Sequence, residues 1–462
     1  MYSQLHFSAR VIVLAIAAVF LGGGVGRAQV TYEVLHSFKG GTDGAAPRGG
    51  VIVGKSGALY GTTQFGGANT CSNGSNYLCG TVFVLAPGTQ TPWTKTVIHS
   101  FNGNDGAIPG ATLTPSAAGT LFGTTEVGGP GSGGSTEGGG TVFEMMPPTG
   151  SGLPWTETTL YSFPYNYTAP NTIYSGVTLG PNGKIFGTTF SSESGDGGRA
   201  SGSVFELSPP SGAGGWSEVT LVNFSKTTAG IQPYGTMIWQ NGTLIGPNFE
   251  TSAGFLACGA IYQVTPPASS GNPWTAAAIY TFGSAPDGCN SRAPLIAGLG
   301  GVLYGTTYVG GTGAPCNFPP NLVSGCGTVF QLTPPATTGG AWSETVLYSF
   351  TGTNGDGAYP YAGLVLGTTG VLYGTTSYGG SATTDSSCTS NGASGCGTIF
   401  SLTPPSTSGG SWTEAILHSF TGENGDGAIP LAGLALSSTG VLYGTTSAGG
   451  GANVGTVFAI KP

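Results

Sequence analysis

The chain has 462 residues, only 6% of them are charged, and its formal net charge is −8 at pH 7. An acidic chain of this kind excludes nucleic acid as a main partner, because phosphate binding requires a basic surface. The 87 glycines and 31 prolines are typical of a disordered chain, yet aromatic residues make up 10% of the sequence and recur at regular positions, which predicts a folded repeat protein.

The first 28 residues have the features of a signal peptide. Arg10 precedes an apolar run from Val11 to Leu21, and Gly26 and Ala28 are the small residues that a signal peptidase accepts. The run is shorter than the roughly 20 residues that a membrane-spanning helix needs, and no later segment reaches that length. We therefore expect residues 1–28 to be removed and residues 29–462 to form a secreted or periplasmic protein without a membrane span.

A repeat of about 64 residues fills the rest of the chain. Each copy contains, in one order, a P-x-A-G-L-x-L stretch, L-Y-G-T-T, a glycine-rich loop, G-T-V-F, and a tryptophan phrase such as W-T-E-T-x-L-Y-S-F. The phenylalanines that close the tryptophan phrase are Phe38, Phe101, Phe163, Phe224, Phe282, Phe350 and Phe420.

Each phrase of the repeat has the character of a β-strand. From Trp342 to Phe350, for example, aromatic and β-branched residues alternate with polar ones. Four such stretches separated by Gly, Pro and Asp turns predict a four-stranded antiparallel meander, labelled here as strands A to D in the order of the phrases above. Seven meanders predict an all-β, seven-bladed β-propeller in one domain, with strand A nearest the axis.

The last copy, from Pro430 to Pro462, contains only strands A, B and C. The missing strand D is found at the other end, in the phrase V-T-Y-E-V-L-H-S-F from Val30 to Phe38. Pairing these segments would remove two exposed strand edges. We therefore expect the N-terminal strand to complete the last blade, in a protein that is a monomer.

The eight cysteines follow a predicted signal peptide and are even in number, which predicts four disulfides. Four of them directly precede strand C, and in three repeats a second cysteine lies in the loop between strands B and C. Their spacing resembles no zinc site. The predicted pairs are Cys71 with Cys79, Cys316 with Cys326, Cys388 with Cys396, and Cys258 with Cys289 from the next D to A turn.

The paired motifs L-Y-G-T-T-x-x-G-G and G-T-V-F-x-L resemble the GloVer (Gloeo/Verruco) tandem repeat of secreted bacterial proteins, over essentially all of the mature chain. The resemblance implies an exported repeat protein, often with a separate surface anchor. It implies no established activity that could be transferred to particular residues.

The turns between strands D and A carry an aspartate at equivalent positions in five repeats. Such a residue can simply cap the turn, in which a following glycine supplies the positive φ. Alternatively, the carboxylates ring one face of the propeller and bind a cation or a polyol, since calcium prefers oxygen ligands. We expect no cofactor, and calcium is the one alternative that these aspartates suggest. These residues are Asp43, Asp105, Asp287, Asp356 and Asp426.

Residues that recur at one position of the repeat are predicted to be structural. His36, His99 and His418 each precede Ser-Phe, where other repeats have tyrosine or asparagine. A glutamate likewise follows the tryptophan by two residues, at positions 157, 218, 344 and 414. No catalytic residue is therefore predicted, since neither a Ser-His-Asp pattern nor a nucleophile-elbow motif is found.

Two classes of function follow. The favoured prediction is a non-catalytic propeller that binds an extracellular polysaccharide or a protein. The alternative is a polysaccharide hydrolase or lyase, because a glycosidase needs two carboxylates about 5 to 10 Å apart. Acids outside the repeat pattern on the loop face are Glu126, Glu193, Asp196, Glu250 and Asp385, and a sugar-stacking surface is a further hypothesis for Tyr165, Tyr167 and Tyr174.

Overall fold

The computed structural model describes most of the chain. The described residues are 30–69, 71, 79–88, 92–130, 138–150, 153–164, 172–190, 201–212, 214–224, 230–250, 258–269, 271–283, 285–313, 316–318, 323–337, 339–381, 388–390, 392–407 and 409–462. Within these ranges no helix is long and apolar enough to cross a membrane. The predicted signal peptide lies outside them.

Seven antiparallel sheets form the blades of a β-propeller, as predicted, and each contains the four strands A to D. Strand A is innermost in each blade and strand D is outermost. In blade 4 strand B is longer and also pairs with a short strand, Ile231–Pro233. Strands A to D are Ile52–Val53, Leu59–Thr63, Thr81–Ala86 and Thr94–Ser100 in blade 1; Thr114–Pro115, Leu121–Thr125, Thr141–Met146 and Thr156–Ser162 in blade 2; Thr178–Leu179, Ile185–Thr189, Ser203–Ser208 and Ser217–Asn223 in blade 3; Ile238–Gln240, Thr243–Glu250, Ala260–Thr265 and Thr275–Thr281 in blade 4; Ile296–Ala297, Leu303–Thr307, Thr328–Thr333 and Ser343–Ser349 in blade 5; Val365–Leu366, Leu372–Thr376, Thr398–Thr403 and Thr413–Ser419 in blade 6; and Ala435–Leu436, Leu442–Thr446, Thr456–Lys461 and Thr31–Ser37 in blade 7.

Short hairpins and single turns of 3₁₀-helix lie in the loops at the ends of the blades. The paired short strands are Gly288–Cys289 with Val309–Gly310, Asn317–Phe318 with Val323–Ser324, Gly357–Ala358 with Tyr378–Gly379, Thr389–Ser390 with Ala393–Ser394, and Gly427–Ala428 with Ala448–Gly449. The 3₁₀ turns are Gly41–Asp43, Pro181–Gly183 and Leu299–Gly301.

The glycine of L-Y-G-T-T is required by the phenylalanine of G-T-V-F. In blade 1 these residues are Gly61 and Phe83, which are directly paired across strands B and C. A Cβ atom on Gly61 would lie 2.7 Å from the ring of Phe83, and the other blades repeat this close approach. Since the glycine has no side chain, the phenylalanine ring can lie across it and reach the interface with the neighbouring blade.

Phenylalanine pairs join each blade to the next. The last residue of one tryptophan phrase packs against the G-T-V-F ring, or Tyr262 in blade 4, of the following blade, edge-on in six of these seven pairs and tilted between Phe163 and Phe205. The ring centroids are 5.1 Å apart for Phe350 and Phe400, and 5.3 Å for Phe420 and Phe458. Edge-to-face pairs of this kind add to the stabilisation from burial alone.

The two threonines of L-Y-G-T-T have separate roles. The second one shares a hydrogen bond with the first residue of strand C, as between the hydroxyls of Thr63 and Thr81, 2.7 Å apart. The first one donates to a carbonyl of the P-x-A-G-L stretch of the next blade in five of the seven blades. Thr445 Oγ1, for instance, lies 3.0 Å from the carbonyl oxygen of Gly49, which joins blade 7 to blade 1.

The N-terminal strand closes the ring, as predicted. It pairs antiparallel with strand C of blade 7, from Thr31 opposite Lys461 to Ser37 opposite Thr456. Beyond this strand the amide of Phe38 donates to the carbonyl of Gly455 at 3.0 Å. The two ends of the described chain are therefore held in one sheet.

All four predicted disulfides are confirmed: Cys71 with Cys79, Cys258 with Cys289, Cys316 with Cys326, and Cys388 with Cys396. Four disulfides fit an extracellular or periplasmic protein. Cys258–Cys289 differs from the others because it links blade 4 to the turn that leads into blade 5, across 31 residues.

Loop length predicts which disulfide matters most for stability. Removing Cys258–Cys289 by serine substitution is expected to lower the free energy of unfolding by about 3.5 kcal/mol, because the unfolded chain gains more freedom from a longer loop. The control is removal of Cys388–Cys396, which closes a loop of 8 residues. Its loss is expected to lower the free energy by about 2.5 kcal/mol. Urea denaturation measures both, and a larger loss for the short loop would contradict the prediction.

Candidate functional site

The five predicted aspartates cap the turns in which they lie. The carboxylate of Asp356 accepts hydrogen bonds from the amides of Thr351 and Gly357, both at 2.7 Å. That of Asp287 accepts one from the amide of Gly283 at 2.6 Å. The other three make comparable bonds inside their own turns.

The residue two positions before the closing phenylalanine also contacts the aspartate of its own turn. His99 Nε2 lies 3.1 Å from a carboxylate oxygen of Asp105, and the hydroxyl of Tyr280 donates to Asp287 at 3.0 Å. His36 and His418 contact Asp43 and Asp426 in the same way. These contacts account for the recurrence of histidine or tyrosine at this position.

A residue from strand D of the next blade faces each of these turns. In blades 2, 5 and 6 it is a glutamate, so that Glu157 faces Asp105, Glu344 faces Asp287, and Glu414 faces Asp356. Burial, and secondarily the aspartate, raise the pKa of Glu344 and of Glu414 to about 7.

At the two remaining turns the facing residue is not an acid. Lys95 bonds to Asp43 at 2.9 Å, and the hydroxyl of Tyr32 donates to Asp426 at 2.8 Å. Although burial opposes ionisation, these partners and a histidine hold the pKa of both aspartates below the usual range.

The aspartates are not brought together at the axis. None of the five lines the axial cavity described below. Only one of them, Asp105, lies in a group whose ligand atoms could share a metal ion among the described residues, with His99 and Glu157 and all atoms within 4.8 Å of one another. Cation or polyol binding by the five aspartates stays a prediction.

A cavity of about 340 Å³ lies on the propeller axis, within the usual size range of small-molecule sites. All seven P-x-A-G-L stretches line it. The variable residue of each stretch contributes to the lining, and these seven equivalent positions hold Arg48, Gly110, Tyr174, Tyr234, Arg292, Tyr361 and Leu431.

A residue in the left-handed backbone conformation precedes the lining segment of most blades. In six blades the residue two positions before the variable one has a positive φ, as in Ile108 and Ile429 at 60° and 54°. A β-branched residue rarely adopts this conformation, so the surrounding bonds must enforce it. The amide of Ile108 donates to Cys79 of the preceding blade at 3.0 Å, and its carbonyl accepts from the amide of Glu126 at 3.1 Å.

The bond from the amide of the residue after L-Y-G-T-T to the carbonyl two positions before the variable residue recurs in blades 1, 3, 5, 6 and 7. It positions a second ring of side chains, and in blades 2 to 5 the member of this ring lies against the variable residue of its own blade. The members of this second ring are Gln64, Glu126, Phe190, Phe249, Tyr308, Ser377 and Ser447. We call the polar and aromatic residues of both rings, Arg48, Glu126, Tyr174, Phe190, Tyr234, Phe249, Arg292, Tyr308 and Tyr361, the axial site.

Blades 3 to 6 provide an aromatic wall. Tyr174 and Tyr234 are stacked with ring centroids 5.5 Å apart, and Phe190 packs edge-on against both. The hydroxyls of Tyr234 and Tyr361 share a hydrogen bond. Burial raises the pKa of Tyr174 and of Tyr234, so both phenols are neutral hydrogen-bonding groups.

Arg292 lies among the rings of this wall. Its Cζ atom is 4.1 Å from the ring centroid of Tyr308, 4.8 Å from that of Phe249 and 5.4 Å from that of Tyr361. Its Nε atom is buried and has no hydrogen-bond partner. Contacts with three rings stabilise the guanidinium at this position.

Blades 1 and 2 contribute the remaining charges. Burial raises the pKa of Glu126 to about 7, while Arg48 opposes the shift. The pKa of Arg48 is raised although burial opposes this, because Tyr361, Tyr234 and Glu126 favour its charge. Glu126 reaches over Gly110, where any Cβ atom would collide with its carboxylate. Glycine at this position therefore makes room for the acid.

Of the acids and tyrosines named from the sequence, Glu126 and Tyr174 belong to the axial site. The others cannot be placed, because Glu193, Asp196, Asp385, Tyr165 and Tyr167, and the side chain of Glu250, lie outside the described residues.

The sequence analysis missed Arg48, Tyr234, Arg292 and Tyr361. A signal for them was present in the repeat, where the variable position of P-x-A-G-L is filled by arginine or tyrosine in five copies. Positions that must satisfy the fold are similar in every copy, whereas this one ranges from glycine to arginine while the residue after it is always Gly, Ala or Ser.

The protein is a closed seven-bladed propeller. The residues that line its axial cavity differ from blade to blade, although the blades themselves repeat. The chain belongs to the Gloeobacter/Verrucomicrobia repeat family, whose model matches residues 24–151 and 131–387. This confirms the resemblance found in the sequence.

Solved structures with similar folds share little sequence with this chain. A protein of unknown function from Dyadobacter fermentans is 11% identical, with a TM-score of 0.41 over 94% of this chain and 99% of its own. The Trypanosoma rangeli sialidase is 11% identical, with a TM-score of 0.40 over 94% and 59%. A gluconolactonase from Xanthomonas campestris is 11% identical, with a TM-score of 0.36 over 74% and 85%. A search of curated proteins found no match.

Proposed function

We propose that this protein is an exported, non-catalytic binding module that holds an extracellular glycan at the axial site. The observation that carries the proposal is the break in the repeat: seven equivalent positions converge on one cavity, and they hold two arginines, three tyrosines, a glycine and a leucine instead of one residue type. Side chains that only completed the fold would not need to differ in this way.

The chemistry of the axial site suits a sugar. Aromatic rings offer flat apolar faces for the C–H faces of a pyranose, while tyrosine hydroxyls and guanidinium groups offer hydrogen bonds to its hydroxyls. A protein partner would instead require a broader surface than a cavity of about 340 Å³ provides. The glycan is therefore favoured over a protein.

Binding to a glycan array, followed by calorimetric titration of the best oligosaccharide, tests the proposal. Tyr174→Ala is expected to weaken binding about tenfold or more, because it removes one face of the aromatic wall. The matched control is Tyr304→Ala, a half-buried tyrosine that packs on Trp412 away from the cavity. Equal affinity in the two variants, or no glycan bound by the wild type, would overturn the proposal.

Glu126 supports a second candidate, a polysaccharide lyase or hydrolase. A carboxyl group with a pKa of about 7 at a cavity suits general acid–base catalysis. Glu126 lies next to Gly110 of the lining, and no carboxylate among the described residues lines the cavity itself, so the pair that a glycosidase requires is not formed there. Release of reducing ends or unsaturated products from a bound glycan, and its loss in Glu126→Gln, would favour this candidate over the binding module.

A further inference from the structure

Two positive charges are held at the axial site of a protein that has few of them. The whole chain contains 11 lysines and arginines against 19 acids, yet Arg48 and Arg292 both line the axial cavity. Within the described part of the chain, neither guanidinium is found in an ion pair. Two unpaired cations at one cavity repel each other unless an anion lies between or beside them.

Arg292 is prepared for such an anion. The Cζ atom of its guanidinium lies over the ring of Tyr308, and a guanidinium donates its hydrogen bonds in its own plane. A buried donor without a partner, such as its Nε atom, is unfavourable in a folded protein. A planar group that accepts two parallel hydrogen bonds would satisfy both Nε and a terminal nitrogen.

We infer that the axial site recognises a sugar acid, whose carboxylate is bound by Arg292 and attracted by Arg48 while its ring lies against the tyrosine wall. This inference rests on the proposed glycan binding and names the class of glycan. The two arginines give the site a net positive charge whether Glu126 is ionised or neutral, and a positive site attracts a carboxylate.

Glu126 makes this recognition dependent on pH. Its pKa of about 7 means that it is neutral in mildly acidic solution and negative in alkaline solution. The charged form repels a bound carboxylate and offsets the field of Arg48. The facing groups, Arg48 and the neutral phenol of Tyr174, do not titrate in this range. Affinity for the acid is therefore expected to fall between pH 6 and pH 8.

The test measures, by calorimetric titration, the affinity of the full mature protein for three trisaccharides: trigalacturonate, its methyl ester, and a sulfated neutral trisaccharide. The affinity for trigalacturonate is expected to be higher than that for its methyl ester by about tenfold or more. Arg292→Gln is expected to abolish this difference. Arg292→Lys, which keeps the charge and loses the planar fork, is expected to retain only part of it. Glu126→Gln is expected to bind the acid at pH 8 as tightly as the wild type does at pH 6.

The control variant Lys461→Gln removes an exposed positive charge at the end of strand C of blade 7, and its affinities are expected to match those of the wild type. Thermal unfolding of each variant establishes that it is folded. Equal binding of acid and ester, or preference for the sulfated sugar, overturns the inference and leaves glycan binding intact. Absence of binding to these sugars and to the glycan array overturns the proposed function itself.

Discussion

Replacing Phe38 by alanine is expected to lower the free energy of unfolding by about 3 to 5 kcal/mol. The ring is completely buried, and it packs edge-on against Phe83 with centroids 5.4 Å apart. Phe38 follows the N-terminal strand, so the contact joins the end of that strand to blade 1. Its removal leaves a cavity at the junction where the ring of blades is closed.

Phe350→Ala is the matched control for this variant. Phe350 occupies the same position in blade 5, is equally buried, and packs against Phe400 at 5.1 Å inside the continuous part of the chain. If the N-terminal strand is held as firmly as the others, chemical denaturation will give similar losses for the two variants. A loss below about 1 kcal/mol for Phe38→Ala alone would show that the ring is not closed by this strand.

The architecture could be predicted from the sequence because the determinants of the blade are local and repeated. Each phrase alternates with a period of two, and seven copies of one phrase report the same strand. The role of Phe38 and the pairing of Cys258 with Cys289 follow from comparing copies, since a residue missing from one copy is found at the equivalent place elsewhere. Long-range contacts could thus be predicted wherever one copy of the repeat lacks an element that the other copies have.

The axial site could not be predicted in this way because it depends on convergence in space. Arg48 and Arg292 are separated by most of the chain, and only closure of the ring places them on one cavity. The aspartates illustrate the opposite case. Their recurrence in five turns was visible in the sequence, but whether they face the axis depends on how each turn folds back onto its own blade. A repeat pattern identifies equivalent positions without giving their direction.

The glutamates between blades are expected to make the protein less stable in alkaline than in mildly acidic solution. One oxygen of Glu344 and one of Glu414 are buried without a hydrogen-bond partner, and each glutamate faces the aspartate of the preceding turn. Folding raises the pKa of both from 4.5 to about 7, so between these values the folded protein holds protons that the unfolded chain has released. Stability therefore falls as the pH rises through this window.

Other groups titrate in the same range, so variants are needed to isolate the effect. Glu126 acts in the same direction, whereas burial lowers the pKa of His36, which therefore favours the folded state at higher pH. The double variant Glu344→Gln, Glu414→Gln keeps the neutral form at every pH. Compared with the wild type, it is expected to lose less stability between pH 5 and pH 8, by about 1 to 2 kcal/mol per site after allowance for partial exposure.

Urea denaturation at pH 5, 6, 7 and 8 measures this difference, with Glu33→Gln as the control for an exposed glutamate on strand D of blade 7. The control is expected to follow the wild-type profile. Parallel profiles for the wild type and the double variant would mean that the two glutamates are ionised in the folded protein. In that case the blade interfaces must supply a compensating positive group or a bound cation, because two adjacent negative charges at a half-buried boundary are otherwise unfavourable.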